Sequence, residues 1–447
     1  MARRPASDQQ PSLPLPASEL IAPPAAPAPA LGRRGARLRE ANRGQLAWGP
    51  VDLDAMLPQD HEARAIWAVI ERFDLTALYS QIEARGETAG APAIDPKILL
   101  AVWVYATSDG QGSAREIWRL CGMHTAYRWL CGGVAIGYHT LSDFRSEQGD
   151  VFDDLITQVL ARLMKHELVS LHRVAQDGTR VRADAGAASF RREQTLEALI
   201  QEAREHLAAV TRDAADPTIT ARQAAARKRG AEDRLARLEA ALAQIPDVAA
   251  VKKQSGAKDK TPRVSTTDPE ARVMKMPDGG FRPAYNVQFA TTADEARVIV
   301  GVAVTNRGSD AQQSTPMLEQ IEERTGQRPK EMLLDGGYAQ HEALDAAAAK
   351  EVTVYAPLPK PRKEDGRDPH LARPGDSEAV GQWRERMGTA EAKEIYKERA
   401  ATAETVNADV KTNRGLSSLA VRGSGKVLAS ALLVALTYDI LRLLTLS

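Results

Sequence analysis

Cysteine is almost missing from this chain. Cys121 and Cys131 are the two in 447 residues. Neither sits in a CxxC pair, so a disulfide framework and a cysteine-built zinc site are both excluded. A reducing compartment, the cytoplasm, is expected. Net charge is missing too: Lys+Arg and Asp+Glu each number 59. The chain lacks the overall basic excess common in nucleic-acid binders, although charge of one sign can still gather on one face. Its eight histidines form no HExxH motif and no His/Cys cluster, and His139 and His172 read as structural or surface residues. Long apolar runs are missing with one exception, VLASALLVALTYDILRLLTL, Val427 to Leu446. It is long enough to span a membrane, but Asp439 and Arg442 within it favour a core helix. No apolar stretch follows MARRPASDQQ, so no secretory leader is expected.

The length and a hydrophobic share of 43 % allow two or three domains with a full core. Residues 1–47 are Pro- and Ala-rich and are expected to be disordered. The cluster RRGARLREANR, Arg33 to Arg43, reads as a solvated basic tail. Residues 48–169 read as all-helical. Asp95 and Pro96 open DPKILLAVWVYAT as N-cap and first-turn residue, and Ser113 and Thr140 are expected to cap later helices. Arg115, Trp118, Arg119, Tyr127, Arg128, Trp129 and Arg145 interleave here, with the aromatics expected in the core and the arginines at its rim.

A strand is expected over Leu171 to Asp184. Residues 191–262 then read as an insert. It consists of two charged helices with a break at DAADPT, Asp213 to Thr218, followed by a basic linker, KKQSGAKDKTPR. Leu196, Leu199, Ile200, Ala203, Leu207 and Val210 line one helix, and Leu235, Leu238, Ala241 and Leu242 the other. That pattern predicts an antiparallel hairpin serving as spacer or dimerisation arm. For the linker, a solvated loop and a phosphate-contacting loop both stay open. FRPAYNVQFA and ARVIVGVAVTN predict a strand pair joined at TTADE. A helix from Ala311 to Thr325, the strand KEMLLD, the helix HEALDAAAAK, the strand VTVYAP and a late helix complete the order. The expected fold is α/β (α+β), a mixed sheet flanked by helices.

Two aspartates follow short apolar runs and precede glycine: Asp177 in VAQDGTRV and Asp335 in EMLLDGGYA. Such positions lie at strand exits, where sites of α/β sheets form. The third feature is the helical stretch YKERAATAETVNADVK. At about 100° per residue, Ile395, Ala403, Val406 and Val410 form an apolar stripe. Lys397, Glu398, Thr402, Thr405 and Asp409 face the other way. Arg399 lies inside the stripe, where an unpaired guanidinium is costly. Glu404 and Lys411 lie at its border. Two strand-borne aspartates and a helix-borne glutamate can converge on hard divalent ions such as Mg²⁺ or Mn²⁺. Two such ions clamp the attacking and leaving oxygens of phosphoryl transfer.

On QDGTRVRADAG, STTDPEARVMK, AYNVQFA, LLDGGYA and the Tyr396–Arg399–Glu404–Lys411 set followed by NRGL, the chain resembles the DDE transposases of bacterial insertion sequences. The resemblance runs from Val51 to the C-terminus. It implies a ribonuclease-H-like catalytic domain over 170–190 and 263–447, with Asp335 on the fourth strand. It implies a helical DNA-end-binding domain over 48–169. Asp177, Asp335 and Glu404 are implied as catalytic metal ligands for two Mg²⁺ or Mn²⁺ ions, with Asp184 as a lower-ranked substitute. Tyr396, Arg399 and Lys411 are implied to contact DNA, and Gly178 and Gly336 to permit close approach. Many relatives carry a Phe shortly after the glutamate, where this chain has Val406 and Asn407. The implied activity is cleavage of element ends followed by joining of the 3′-hydroxyl to target DNA. Implied partners are double-stranded DNA and further copies of the chain, in a bacterial cytoplasm at the nucleoid, with no membrane. A nuclease of the same fold without strand transfer, or a non-catalytic dimeric DNA-binding regulator, are the alternatives.

Overall fold

The structure is a computed structural model that describes residues 52–83, 92–213, 218–254, 261–359 and 368–446. The expectations for residues 1–47, with the Arg33–Arg43 cluster, fall outside these, as do 214–217 in the interhelical break and 255–260 of the basic linker.

Eight strands follow in chain order: β1 (Arg173–Arg182), β2 (Phe190–Arg191), β3 (Val264–Ser265), β4 (Arg272–Lys275), β5 (Phe281–Thr292), β6 (Ile299–Thr305), β7 (Glu331–Leu334) and β8 (Thr353–Tyr355). Six of them make one mixed sheet in the order β4-β5-β1-β7-β8, with β6 also paired to β5. β1 runs antiparallel to β5, with Asp177 opposite Phe289 and Gly178 opposite Gln288. It runs parallel to β7, with Gln176 opposite Leu334, and β7 is parallel to β8. This is the ribonuclease-H-like arrangement expected, with one addition. β4 lengthens the outer edge beside β5, so Asp335 follows the fifth strand of the sheet and not the fourth. STTDPEARVMK had carried no strand expectation, because its four-residue strand is too short for alternation to register.

The helix Ser424–Leu446 lies at the centre of the core. Among the described residues it is the one helix long and apolar enough to cross a membrane, and 72 % of its apolar window is buried inside the protein. It packs on the helices Pro96–Ser108, Tyr138–Glu147 and Gly149–Lys165 and on β6. A single apolar cluster therefore takes in Ile66, Trp103 and Phe152, then Phe289 and Val300 of the sheet, then Leu433 and Leu436. Each large apolar side chain fully buried there contributes about 1.5–3 kcal/mol.

Local signals explain several boundaries. Asp95 accepts from the Lys97 amide at 2.9 Å with Pro96 at the first helical position, and Ser113 accepts from the Glu116 amide at 3.4 Å. Thr140 caps nothing. Its helix starts two residues earlier, at Tyr138, with Gly137 as N-cap. The expected Ala311–Thr325 helix begins at Ser314, because residues 306–313 are held in turns of their own. The NRGL segment docks the end of the late helix onto the loop after Pro96–Ser108. Arg414 donates to the Ser108 carbonyl at 2.6 Å, and a Cβ on Gly415 (φ 73°) would lie 3.3 Å from the Gly110 carbonyl oxygen.

Residues 191–262 contain the helices Glu193–Asp213 and Ala221–Ala243, packed on each other. A short third helix, Ile245–Gln254, was not anticipated. Leu196, Ile200, Ala203, Leu238 and Ala241, joined by Ile245 and Val248, form an apolar cluster of their own. The two-stranded β2–β3 ladder closes its base.

Two predictions follow from this packing. Asp439 is fully buried, accepts from the Ile299 amide at 2.9 Å, and leaves its Oδ2 without a partner. Burial pushes its carboxyl well above the ordinary range. A raised carboxyl favours the fold while protonated, and that contribution is lost as pH rises from its unfolded value through its folded one. Asp439→Asn is therefore expected to raise the melting temperature by roughly 2 °C at pH 8, with a smaller gain at pH 5. Thermal scans at the two pH values check this. The separate cluster of the insert predicts that replacing residues 192–263 by a short Gly/Ser linker leaves one cooperative unfolding transition, read by calorimetry.

Candidate active site

β1 carries Asp177 to the point where its pairing with β7 stops, one residue beyond the Gln176–Leu334 pair. Asp335 immediately follows β7 and opens the turn Gly336–Tyr338, whose Tyr338 amide donates to the Asp335 carbonyl at 3.0 Å. The two aspartates thus leave neighbouring parallel strands at one level, Asp177 largely buried and Asp335 exposed.

The late helix folds over Asp177, though not as one regular helix. Ala390–Arg399 is α-helical, Ala400–Glu404 is π-helical, and Thr405–Thr412 is α-helical again. The wider π turn advances the phase of everything after Arg399. Thr402, expected on the wet face, is 3 % exposed. The stripe is also divided. Ile395, Tyr396 and Ala403 pack with Leu333, Tyr338 and Trp383, whereas Val406 and Val410 join the large core.

Arg399 sits at the phase change. Its guanidinium is 2.9 Å from Asp177 Oδ1 and 3.5 Å from Glu404 Oε1, and it also bonds the Tyr396 hydroxyl. Burial pulls the guanidinium down, but the carboxylates around it, Asp177 foremost, outweigh this and hold it above the ordinary arginine value. Burial pushes the Asp177 carboxyl up, and the Arg399 charge opposes that push. Asp177 further accepts from the Gly178 amide at 3.0 Å and from Asn407 Nδ2 at 3.1 Å. Asn407 thus makes direct contact with the site, at a place where relatives of the expected family differ. Nothing in the sequence marked it, because its role depends on the phase that the π turn sets.

Glu404 remains 61 % exposed. Lys411 is half-buried, and its ammonium is lowered first by burial and then by the neighbouring charge of Arg180. Burial likewise raises the Tyr396 phenol. Among the described residues, no three Asp, Glu, His or Cys side chains stand gathered in a metal-holding group. Arg399 lies between two of the three expected ligands.

Other expectations are redirected. Asp184 lies past the end of β1 and pairs with Arg422 at 2.8 Å, so it is engaged elsewhere. Glu398 had been placed on the wet face, yet it takes Arg173 at 2.6 Å, and Arg173 also bonds Glu331 of β7. This ion-pair set ties the late helix to both strands. Gly336 admits a close approach, but to the Pro357 carbonyl, 3.2 Å from a Cβ built there. Gly178 faces side chains of the sheet itself.

Comparison with family models finds two matches. A "Transposase domain (DUF772)" covers residues 51–147, and a "Transposase DDE domain" covers 361–444. No curated protein and no solved structure matches the chain. The second match spans Tyr396, Arg399, Glu404 and Lys411, while Asp177 and Asp335 lie between the two matched stretches. With a transposase domain near one end and a transposase DDE domain over the arginine–glutamate helix at the other, the chain belongs to the insertion-sequence DDE transposases.

Proposed function

We propose that the chain binds the ends of its element, cuts DNA there, and joins the freed 3′-hydroxyl to target DNA. The observation that carries this is the meeting of Asp177, at the β1 exit beside Asp335, with Arg399 and Glu404 of the late helix. The donor set suits a hard divalent cation. It consists of carboxylate oxygens, and the buried Asn407 Oδ1 beside Asp177 has no partner. Asp177, Asp335 and Glu404 would hold two Mg²⁺ or Mn²⁺ ions, which supply activation of the attacking oxygen and neutralisation of the leaving one.

The protein's own groups do the rest. Arg399 neutralises Asp177 before any ligand arrives, so the strand exits keep their spacing despite carboxylate repulsion. Its planar fork can serve Asp177 and a phosphate oxygen together. Tyr396 keeps its proton through the neutral range and can donate to a phosphate oxygen. Lys411, desolvated beside Arg180, gains from an anion placed there. The helices of 52–165 would carry recognition of the terminal repeats, with two or more copies of the chain assembled on double-stranded DNA at the bacterial nucleoid. The insert would act as an arm between copies.

Two variants test the site. Glu404→Gln should leave end binding within about two-fold, since cationic contacts to phosphates supply most of that affinity. It should lower Mg²⁺-dependent cleavage by at least about 10²-fold. The comparison is Glu394→Gln, whose partner Lys397 is equally exposed. Glu398 cannot serve because it holds Arg173. Gel shifts and strand mapping on the element's own ends provide the readout, and full cleavage by Glu404→Gln would remove its assignment. Cleavage without joining, even with a supplied target, would favour the nuclease alternative. Arg399→Lys keeps the charge and loses the fork. It is expected to slow single-turnover cleavage about 10–100-fold, the cost of an ångström-scale misplacement. Unchanged cleavage would refute the bridging role.

A further inference from the structure

Successive residues of a strand face opposite sides of the sheet. Asp177 faces the late helix, so Gln176 and Gly178 face away, together with Asn286 and Gln288 of the paired strand β5. On that far face Asp310 is inserted from the loop between β6 and the helix Ser314–Thr325. Its Oδ1 accepts from Asn286 Nδ2 at 2.6 Å and from Gln288 Nε2 at 2.8 Å. Both amides are fully buried. The carboxylate is 13 % exposed, and its Oδ2 is 3.6 Å from Arg180, whose guanidinium also donates to the Gly308 carbonyl at 2.6 Å.

The contacts of this group reach both strand exits. A Cβ on Gly178 would run into Asp310 Oδ1 and Gln288 Nε2 and would lie 2.7 Å from Asn286 Oδ1. A bare backbone is therefore required one residue after Asp177. Asn286 Oδ1 is buried, has no partner, and lies beside that same backbone. On the other side, Gln288 Oε1 accepts from the hydroxyl of Tyr338, which is fully buried three residues after Asp335. Gln176 Nε2 reaches the same oxygen at 3.3 Å. A Cβ on Gly337 would come within 3.9 Å of Asp310 Cβ. A carboxylate only accepts, so it fixes both amide groups with their NH₂ ends inward. That orientation is what presents Gln288 Oε1 to Tyr338.

We propose that Asp310 is a positioning residue that, through Gln288 and Gly178, locks the exits of β1 and β7 so that Asp177 and Asp335 are held at a fixed separation. The inference rests on the reading of the site as a divalent-cation centre. It does not make Asp310 a ligand, because it stands on the opposite face of β1 from Asp177.

Mn²⁺ binding to the full chain, measured by calorimetry without DNA, tests it. Asp310→Ala is expected to weaken Mn²⁺ binding about 10–100-fold, as loss of supporting hydrogen bonds does at metal sites. Asp310→Asn, which keeps an oxygen for both amides, should restore most of the affinity. Tyr338→Phe, which removes only the hydroxyl, should weaken binding in the same direction and covers the case in which Asp310→Ala fails to fold. Leu318→Ala, in the neighbouring helix core, controls for general loosening and should bind as wild type does. Wild-type affinity in both Asp310→Ala and Tyr338→Phe, alongside lost affinity in Asp177→Asn, would overturn this inference alone. Equal loss in Asp310→Asn and Asp310→Ala would make the charge itself the cause and overturn the positioning role. Equal loss in Leu318→Ala would reduce the effect to softness of the fold. A wild-type chain that binds no Mn²⁺ would remove the cation reading of the site and this inference with it.

Discussion

Carboxylates brought together in a half-buried place repel one another and resist ionisation, and the centre of this molecule is organised around that constraint. Arg399 answers it directly, with its guanidinium between Asp177 and Glu404. The same solution recurs one layer out, where Arg173 takes Glu331 and Glu398. In each case an arginine joins the late helix to a strand of the sheet. The charges that make a site of the strand exits thereby also attach the helix that completes it.

Attachment by a buried pair is sensitive to register, and register here is set by the π turn. A regular helix from Ala390 to Thr412 could not direct Arg399 at Asp177 while burying Ile395 in one cluster and Val406 and Val410 in another. One wider turn reconciles the two demands. It leaves Arg399 as the last residue of the first helical phase and makes Glu404 the hinge into the second. Glu404 stays more exposed than the other two carboxylates, as suits a group that must adjust when substrate and cations enter.

The sequence made the main elements legible because their signals are local. Asp95 and Ser113 cap where they should, strand alternation marks β5 and β6, and the aspartate–glycine pairs mark the exits of β1 and β7. Arg399 was legible from its misfit, a guanidinium in an apolar stripe. What stayed hidden depends on contacts between distant segments. Thr402 and Glu398 were placed on the wet face because a constant 100° step knows nothing of a π turn. Asn407 became a partner of Asp177 through the same phase change. β4 is too short for its pattern to rise above noise. Asp310 lies in a polar loop, RGSD, that reads as a connection, and only the fold shows that it reaches beneath β1.

Gly178 shows how the two faces of β1 depend on each other. From sequence, a glycine after a site aspartate suggests room for substrate. In the structure that room is already filled from the far side by Asp310, Gln288 and Asn286. A side chain at 178 would have to displace buried, hydrogen-bonded groups, and the strand could yield only by moving toward the late helix. That movement would carry Asp177 against Arg399. The glycine therefore serves the site by letting the far face close tightly, and the ion pair on the near face inherits its precision from that closure.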